Sequence, residues 1–243
     1  MANLNLHGDV SKNEEALAKA YTDLITFGKL FSPQDFLASA TPDFHVEVGK
    51  LLLDREIQQL GLVLPRDHAK STLASTAILH RFLFAKKEEP EFIAWIGEAQ
   101  DQAIDNLSWV MNHIELNPAI HYYFGDLQGN KWTKAEFTLT NGCRMVTAAV
   151  FPAIDFDKKG FLWCNGTIVH WDSFLNGLVT GWRDARKSGE SYSWAVYTKK
   201  AIEDGKTIWP SRWPLSKLED RKQFYIDSGT PAKFYQEFMN QAK

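Results

Sequence analysis

The chain has 243 residues, 44% hydrophobic and 23% charged, enough to bury one large core or two small ones. Lys plus Arg number 27 against 30 for Asp plus Glu. The net charge of −3 therefore excludes a globally basic nucleic-acid coat but leaves room for a local basic patch. No run of about 18 apolar residues predicts a membrane span, and Met1–Lys12 lacks the apolar stretch of a signal peptide.

In chain order, Asn13–Phe27 carries Leu17, Ala20, Tyr21, Leu24, Ile25 and Phe27 at the spacing of one helical face, with Gly28 as the expected stop and Pro33 beyond it. Thr41–Leu53 predicts a second helix, capped by Thr41 with Pro42 in its first turn. Gln58–Leu64 is a short apolar run ending at Pro65, as a buried strand ends. Ser71–Phe84 follows with helical spacing. Phe92–Ile96 is a second strand candidate, and Gln100–Leu116 an amphipathic helix stopped at Asn117-Pro118. Glu136–Thr147 alternates around Asn141-Gly142, which predicts a hairpin with a type I′ turn and two positive φ angles. Phe161–Asn165 and Tyr192–Tyr197 are further strand candidates, and Pro214–Asp227 and Pro231–Gln241 two closing helices. Strands alternating with helices predict an α/β sheet with flanking helices.

Two cysteines, Cys143 and Cys164, cannot build a disulfide framework or a four-ligand zinc site, and they are expected as reduced thiols of a cytosolic chain. The seven histidines show neither H-x₃-H nor HExxH, so no metal motif is present. Nine Trp, sixteen Phe and seven Tyr leave two readings open: dense core packing, or surfaces that stack on bases or partners.

The segment with the most chemistry is Leu64-Pro65-Arg66-Asp67-His68-Ala69-Lys70-Ser71-Thr72, between a predicted strand and a predicted helix. A phosphate-binding loop needs that context, because successive backbone N–H groups and a helix N-terminus then face the anion. In that reading Pro65–Thr72 cradles the phosphates, Lys70 reaches the β and γ phosphates, and the Ser71 hydroxyl ligates Mg²⁺. Against G-x-x-x-x-G-K-[ST], however, Leu64 and Ala69 stand where glycines are expected, and Pro65 lacks an N–H donor. The other reading is a solvated turn before a helix. In it Arg66 pairs with Asp67 or a neighbouring acid, and His68 is a solvated loop histidine instead of lining the site.

A Pro-Arg-x-His-x-Lys-Ser-Thr loop resembles the deviant Walker A of the large terminase subunit of tailed phages, the DNA-packaging motor. Further segments are similar in the same order: Thr41–His45; Trp95–Ala103; Asn117-Pro118, Phe124–Asp126 and Lys131-Trp132 before the hairpin; Asn165–His170 at the coupling motif; Trp209–Trp213; and Phe234–Asn240. The similarity covers most of residues 36–241. It implies a P-loop ATPase domain over 36–243, preceded by the N-terminal helical segment over 1–35 that the spacing predicts. It also implies ATP and Mg²⁺ as ligands, and double-stranded DNA, portal protein and the small terminase subunit as partners. Host cytoplasm as location and a possible homo-oligomer follow in the same way. It assigns Arg66 to the γ-phosphate, where a guanidinium offsets developing charge. Thr167, at a strand end, is assigned to coupling nucleotide state to movement, its other reading being a turn threonine.

The resemblance also exposes a gap. Hydrolysis needs an apolar strand ending in acids to hold the Mg²⁺ shell and orient water. Yet Val146–Val150 runs directly into Phe151–Asp155, as though a block were absent near residues 148–150. Glu98 and Asp155 are the possible substitutes. In the resembled fold the absent strand lies between the Phe161–Asn165 and Phe92–Ile96 strands, so these two are expected either to pair directly or to expose their edges. The metal-binding acids of a nuclease half would follow Asn240, so no DNA cleavage is expected of these residues alone. Three functional readings remain: a terminase-like ATPase impaired in hydrolysis, a non-catalytic nucleotide-binding or interaction module, and a helicase-like ATPase using Glu98.

Overall fold

The computed structural model describes residues 10–97, 100–147 and 160–241. They form a mixed α/β chain that divides into two units, Met1–Ala38 with Ser71–Ala153 and Ser39–Lys70 with Ile154–Lys243. Glu98, the 148–150 junction and Asp155 lie outside the described residues.

The first helical run breaks at Asp23 instead of stopping at Gly28. Helix α1 (Val10–Thr22) ends there, and α2 (Leu24–Phe31) begins with Asp23 as its cap, accepting from the amides of Ile25 and Thr26 at 3.3 and 2.9 Å. Gly28 sits inside α2 because the Phe36 ring of the short α3 (Pro33–Phe36) occupies the place of a side chain; a Cβ there would lie 2.5 Å from it. Helix α4 (Asp43–Leu53) is capped at Pro42, one residue later than expected, and Thr41 makes no cap. Strand β1 (Gln59–Val63) and helix α5 (Lys70–Leu83) bracket the Leu64–Ala69 loop. Then come β2 (Phe92–Trp95), α6 (Gln100–Leu116), α7 (Pro118–Phe124, capped by Asn117), β3 (Gln128–Thr133), β4 (Glu136–Leu139) and β5 (Arg144–Thr147).

The hairpin at Asn141-Gly142 forms, but not through a type I′ turn. Gly142 has φ +90° while Asn141 stays out of the positive region. The Gly142 amide donates to Leu139 O at 3.0 Å, and Leu139 N donates to Cys143 O at 2.8 Å. This is a three-residue loop with glycine as the bulge residue. Only one position needs glycine's freedom, because Asn141 spends its side chain on the Cys143 amide and on Phe82 O.

The later elements are β6 (Leu162–Gly166), α8 (Phe174–Ser188), β7 (Ala195–Thr198), the ribbon β8–β9 (Ile202–Glu203 with Lys206–Thr207), α9 (Leu215–Asp227) and α10 (Pro231–Met239). Helix α8, unforeseen from sequence, is capped by the Ser173 hydroxyl and stopped by Gly189 at φ +73°. The first unit holds a four-stranded sheet in the order β2-β5-β4-β3, with Phe27, Phe31, Phe82 and Phe137 fully buried in its core. The second holds a parallel sheet in the order β6-β1-β7, on which Val63, Ile168 and Val179 pack with Leu175 and Val196. Among the described residues β2 is an edge strand of the four-stranded sheet and β6 an edge strand of the parallel one.

Trp209 and Trp213 are buried in the core, and Trp171 is exposed. Both cysteines are free thiols, and burial pushes the Cys164 thiol up to about 11. Among the described residues no helix is long and apolar enough to cross a membrane.

Candidate functional site

The candidate site starts at the carboxyl end of β1, the central strand of the parallel sheet, where open α/β sheets bind their ligands. Its strand ends are tied together by side chains. Leu64 N donates to Gly166 O at 3.1 Å, and the Thr167 hydroxyl donates to Leu64 O at 3.0 Å. Thr167 is thus bonded to the loop's first residue instead of capping a turn of its own. Asn240, buried at the end of α10 with φ +47°, brackets all three strands. Its Nδ2 donates to Val63 O (3.2 Å) and Lys199 O (2.7 Å), and its Oδ1 accepts from Ile168 N (3.2 Å). The αL tolerance of asparagine is visible in sequence; its three partners are not.

From this edge the chain makes a turn of alternating hand. Asp67 has φ +59° and Ala69 φ +60°, while Arg66, His68 and Lys70 keep ordinary negative values. Ala69 therefore takes the conformation that the expected glycine would supply, at about 1–2 kcal/mol for each non-glycine residue held there. Alternation of this kind points successive amides into one concavity, an anion-binding nest. Arg66 and Asp67 form a hydrogen-bonded turn that engages the His68 amide, while among the described residues the amides of Asp67, Ala69 and Lys70 meet no acceptor. The N-terminal amides of α5 follow directly.

What holds the strained turn lies beneath it. Arg66 N donates to Glu237 O at 2.7 Å, Trp213 Nε1 to Asp67 O at 3.4 Å, and His68 Nδ1 to Arg66 O at 2.7 Å. His68 is fully buried, not solvated. Its ring stacks on Trp213 (6.0 Å, 9°) and meets Phe44 and Trp209, and Trp209 in turn meets His45 at 4.5 Å. The Nε2 atoms of both histidines are buried without a partner. Burial foremost, then nearby cations such as Arg212, lowers both imidazoles from 6.5 to about 4. Both are therefore neutral in the folded chain at pH 7. Their contribution to stability is complete above pH 6.5, where folded and unfolded chains are equally deprotonated. It is lost as pH falls from 6.5 towards 4, because the unfolded chain takes up two protons that the folded chain refuses. Each histidine is expected to add a slope of about 1.4 kcal/mol per pH unit in that window. Urea unfolding at pH 7, 6 and 5 measures it, with half the slope expected in His68→Leu.

The charged side chains differ in disposition. Lys70 folds back across the turn, its Nζ donating to Pro65 O at 2.7 Å. Burial lowers it from 10.5 to about 8, Asp67 opposing and Arg66 reinforcing that shift. The half-exposed Arg66 guanidinium pairs with Glu237 Oε1 at 2.5 Å, and Tyr225 donates to the other carboxylate oxygen at 2.5 Å. Glu237 is a neighbouring acid in space but not in sequence, so only the identity of Arg66's partner was hidden. Ser71 and Thr72 begin the first turn of α5, with Ser71 exposed. Its hydroxyl is one oxygen donor of this segment able to ligate a cation, beside the Asp67 carboxylate and the Thr72 hydroxyl. Among the described residues no three His, Cys, Asp or Glu side chains form a metal cluster. Glu237, Tyr225, Asn240 and Trp213 were not singled out individually from sequence, since their roles arise only from contact with the loop. No protein-family model matches this chain, and no curated protein sequence matches it.

Proposed function

We propose that residues 64–72 bind the phosphates of ATP with Mg²⁺, and that the chain is an ATPase domain of the terminase large-subunit type, of P-loop architecture with a central strand absent. The observation that carries this reading is the alternating φ over Arg66–Lys70, with amides of Asp67, Ala69 and Lys70 that meet no acceptor among the described residues, at the end of a central parallel strand and the start of a 14-residue helix. Positive potential there comes from the nest amides and Lys70, with Arg66 on the same turn paired to Glu237. The residues fit a triphosphate on chemical grounds, because Lys70 trades the Pro65 carbonyl for charged phosphate oxygens and relieves a buried ammonium. Bound Mg²⁺ neutralises phosphate charge, and the Ser71 hydroxyl is the group assigned to hold it.

In this reading the strand carrying the hydrolytic acids is missing from the sequence near residues 148–150. Binding with slow turnover is therefore the expected behaviour. In this reading DNA translocation belongs to an assembly with portal protein, the small terminase subunit and further copies of the chain.

Isothermal titration calorimetry at pH 7 tests the reading. Mg-ATP and inorganic tripolyphosphate are expected to bind in the micromolar range and adenosine not at all. Affinity is expected to fall as pH rises through about 8 and Lys70 loses its proton. No heat from either phosphate compound would overturn the assignment.

A further inference from the structure

Two large aromatic rings, Trp171 and Phe174, stand open to solvent at the start of helix α8. Local bonds fix the chain there. The Ser173 hydroxyl caps the helix by accepting from Asn176 N at 3.3 Å, and Asn176 Nδ2 donates to Trp171 O at 2.7 Å. Tyr192 leans on the same helix. Its hydroxyl donates to Leu178 O at 3.2 Å, and a Cβ on Gly181 would come within 2.8 Å of it. Trp194 meets Phe174 at 5.8 Å with the ring planes at 69°. These four rings and Asp172 line a cavity of about 400 Å³ that lies within the second unit. Gly177 is part of the lining and leaves it open, since a Cβ there would meet no atom within 4 Å.

The faces of aromatic rings carry negative potential. Rings near a right angle form adjacent walls of a box, which suits a compact cation more than the slot of parallel faces that grips a flat base. No lysine or arginine lines the cavity, and among the described residues the Asp172 carboxylate has neither a hydrogen bond nor an ion pair. We propose that this cavity is a binding site for an alkylammonium cation, quaternary or N-methylated, held against the rings of Trp171, Phe174 and Trp194 with Asp172 as its counter-ion. A methylated ammonium is weakly hydrated, so it leaves water at low cost. It buries its methyl groups against the rings and keeps its charge beside the carboxylate. The site shares no residue with the phosphate nest over 64–72, and it stands whether or not that loop binds ATP.

Titration of the full chain without nucleotide, followed by the indole N–H resonances of Trp171 and Trp194, tests this with three probes. Choline carries the cation as a free molecule, a short peptide bearing trimethyllysine carries it as a side chain, and the neutral carbon isostere of choline has the shape without the charge. Choline is expected to shift both resonances with a dissociation constant of about 1 mM, and its isostere to bind at least about tenfold more weakly. Tighter binding of the peptide makes a partner's side chain the source of the cation, and tighter binding of choline a free or headgroup ammonium; either supports the site. Asp172→Asn is expected to weaken choline binding about 3- to 5-fold, as loss of an exposed ion pair does, and Trp171→Ala about 3- to 10-fold. Gly177→Leu fills the cavity and is expected to abolish binding while the melting temperature stays unchanged or rises, since leucine is the better helix former. Should it fail to fold, the Asp172 and Trp171 variants decide. Equal binding of choline and its isostere would overturn the cation site, as would shifts that survive both Asp172→Asn and Trp171→Ala, or no shift with any probe. A thymidine oligonucleotide that moves the two resonances where choline does not would assign the cavity to base stacking and overturn it as well.

Discussion

Lys70→Met is expected to weaken Mg-ATP binding about a hundredfold or more while leaving the melting temperature of the free chain unchanged or raised. The loss follows from two charge-assisted hydrogen bonds to phosphate oxygens, at about 1.5–3 kcal/mol each, given up together. The unchanged stability follows from the titration of the same group. Burial lowers the Lys70 pKa to about 8 from 10.5, so the unfolded chain holds the proton more tightly than the folded one. Below pH 8 the ammonium therefore opposes folding; the opposition fades as pH rises from 8 to 10.5. Methionine has nearly the same length and gives up only the bond to Pro65 O, a charged donor's bond worth about 1.5–3 kcal/mol, which the relieved desolvation offsets. Calorimetry and differential scanning measured side by side make the comparison. Binding lost together with a large fall in melting temperature would mean that Lys70 braces the turn and has no role toward a ligand.

Asn240→Leu is expected to produce the largest destabilisation of any single change considered, about 4 kcal/mol or more. Ile168 N and Lys199 O lose their asparagine partner in a buried setting, at about 1–3 kcal/mol each, and Val63 O keeps only the Lys199 amide. Leucine at φ +47° adds about 1–2 kcal/mol of backbone strain that asparagine largely avoids. Asn240→Gly separates the two contributions: it removes the strain and keeps the bond loss, so it is expected to fall between wild type and leucine. Asn240→Asp keeps the acceptor for Ile168 N but turns both donors into oxygens facing carbonyls, and it is expected to resemble leucine. Guanidinium unfolding ranks the series, and equal stability for Asn240→Gly and wild type would show that the bracket contributes nothing.

The strand–loop–helix around residues 59–83 was legible because each part is encoded locally: an apolar run closed by Pro65, a polar turn, then apolar residues at helical spacing. The closing helices and the strands at Phe92, Arg144 and Leu162 were legible on the same ground. Helix α8 was not, since Gly177 and Gly181 dilute its helical signal and it forms through its cap and its packing on β1 and β7. The break at Asp23 was missed because the apolar face runs through it, and only the cap geometry shows that the carboxylate starts a new helix. The Asn-Gly hairpin was placed correctly and its turn type misread, because a bulged three-residue loop needs one positive φ where a two-residue loop needs two.

The order of elements and the position of a phosphate-loop candidate belong to the sequence alone, since hydrophobic period, proline and helix-cap preferences act over a few residues. Whether that loop is a nest could not be read the same way, for neither Asp67 nor Ala69 prefers a positive φ by itself. That conformation is imposed by partners remote in the chain: Trp213 lies 146 residues from Asp67, and Glu237 lies 171 from Arg66. Strain at a short turn persists only where bonds from outside it outweigh its cost, and such bonds exist only once the tertiary structure has closed.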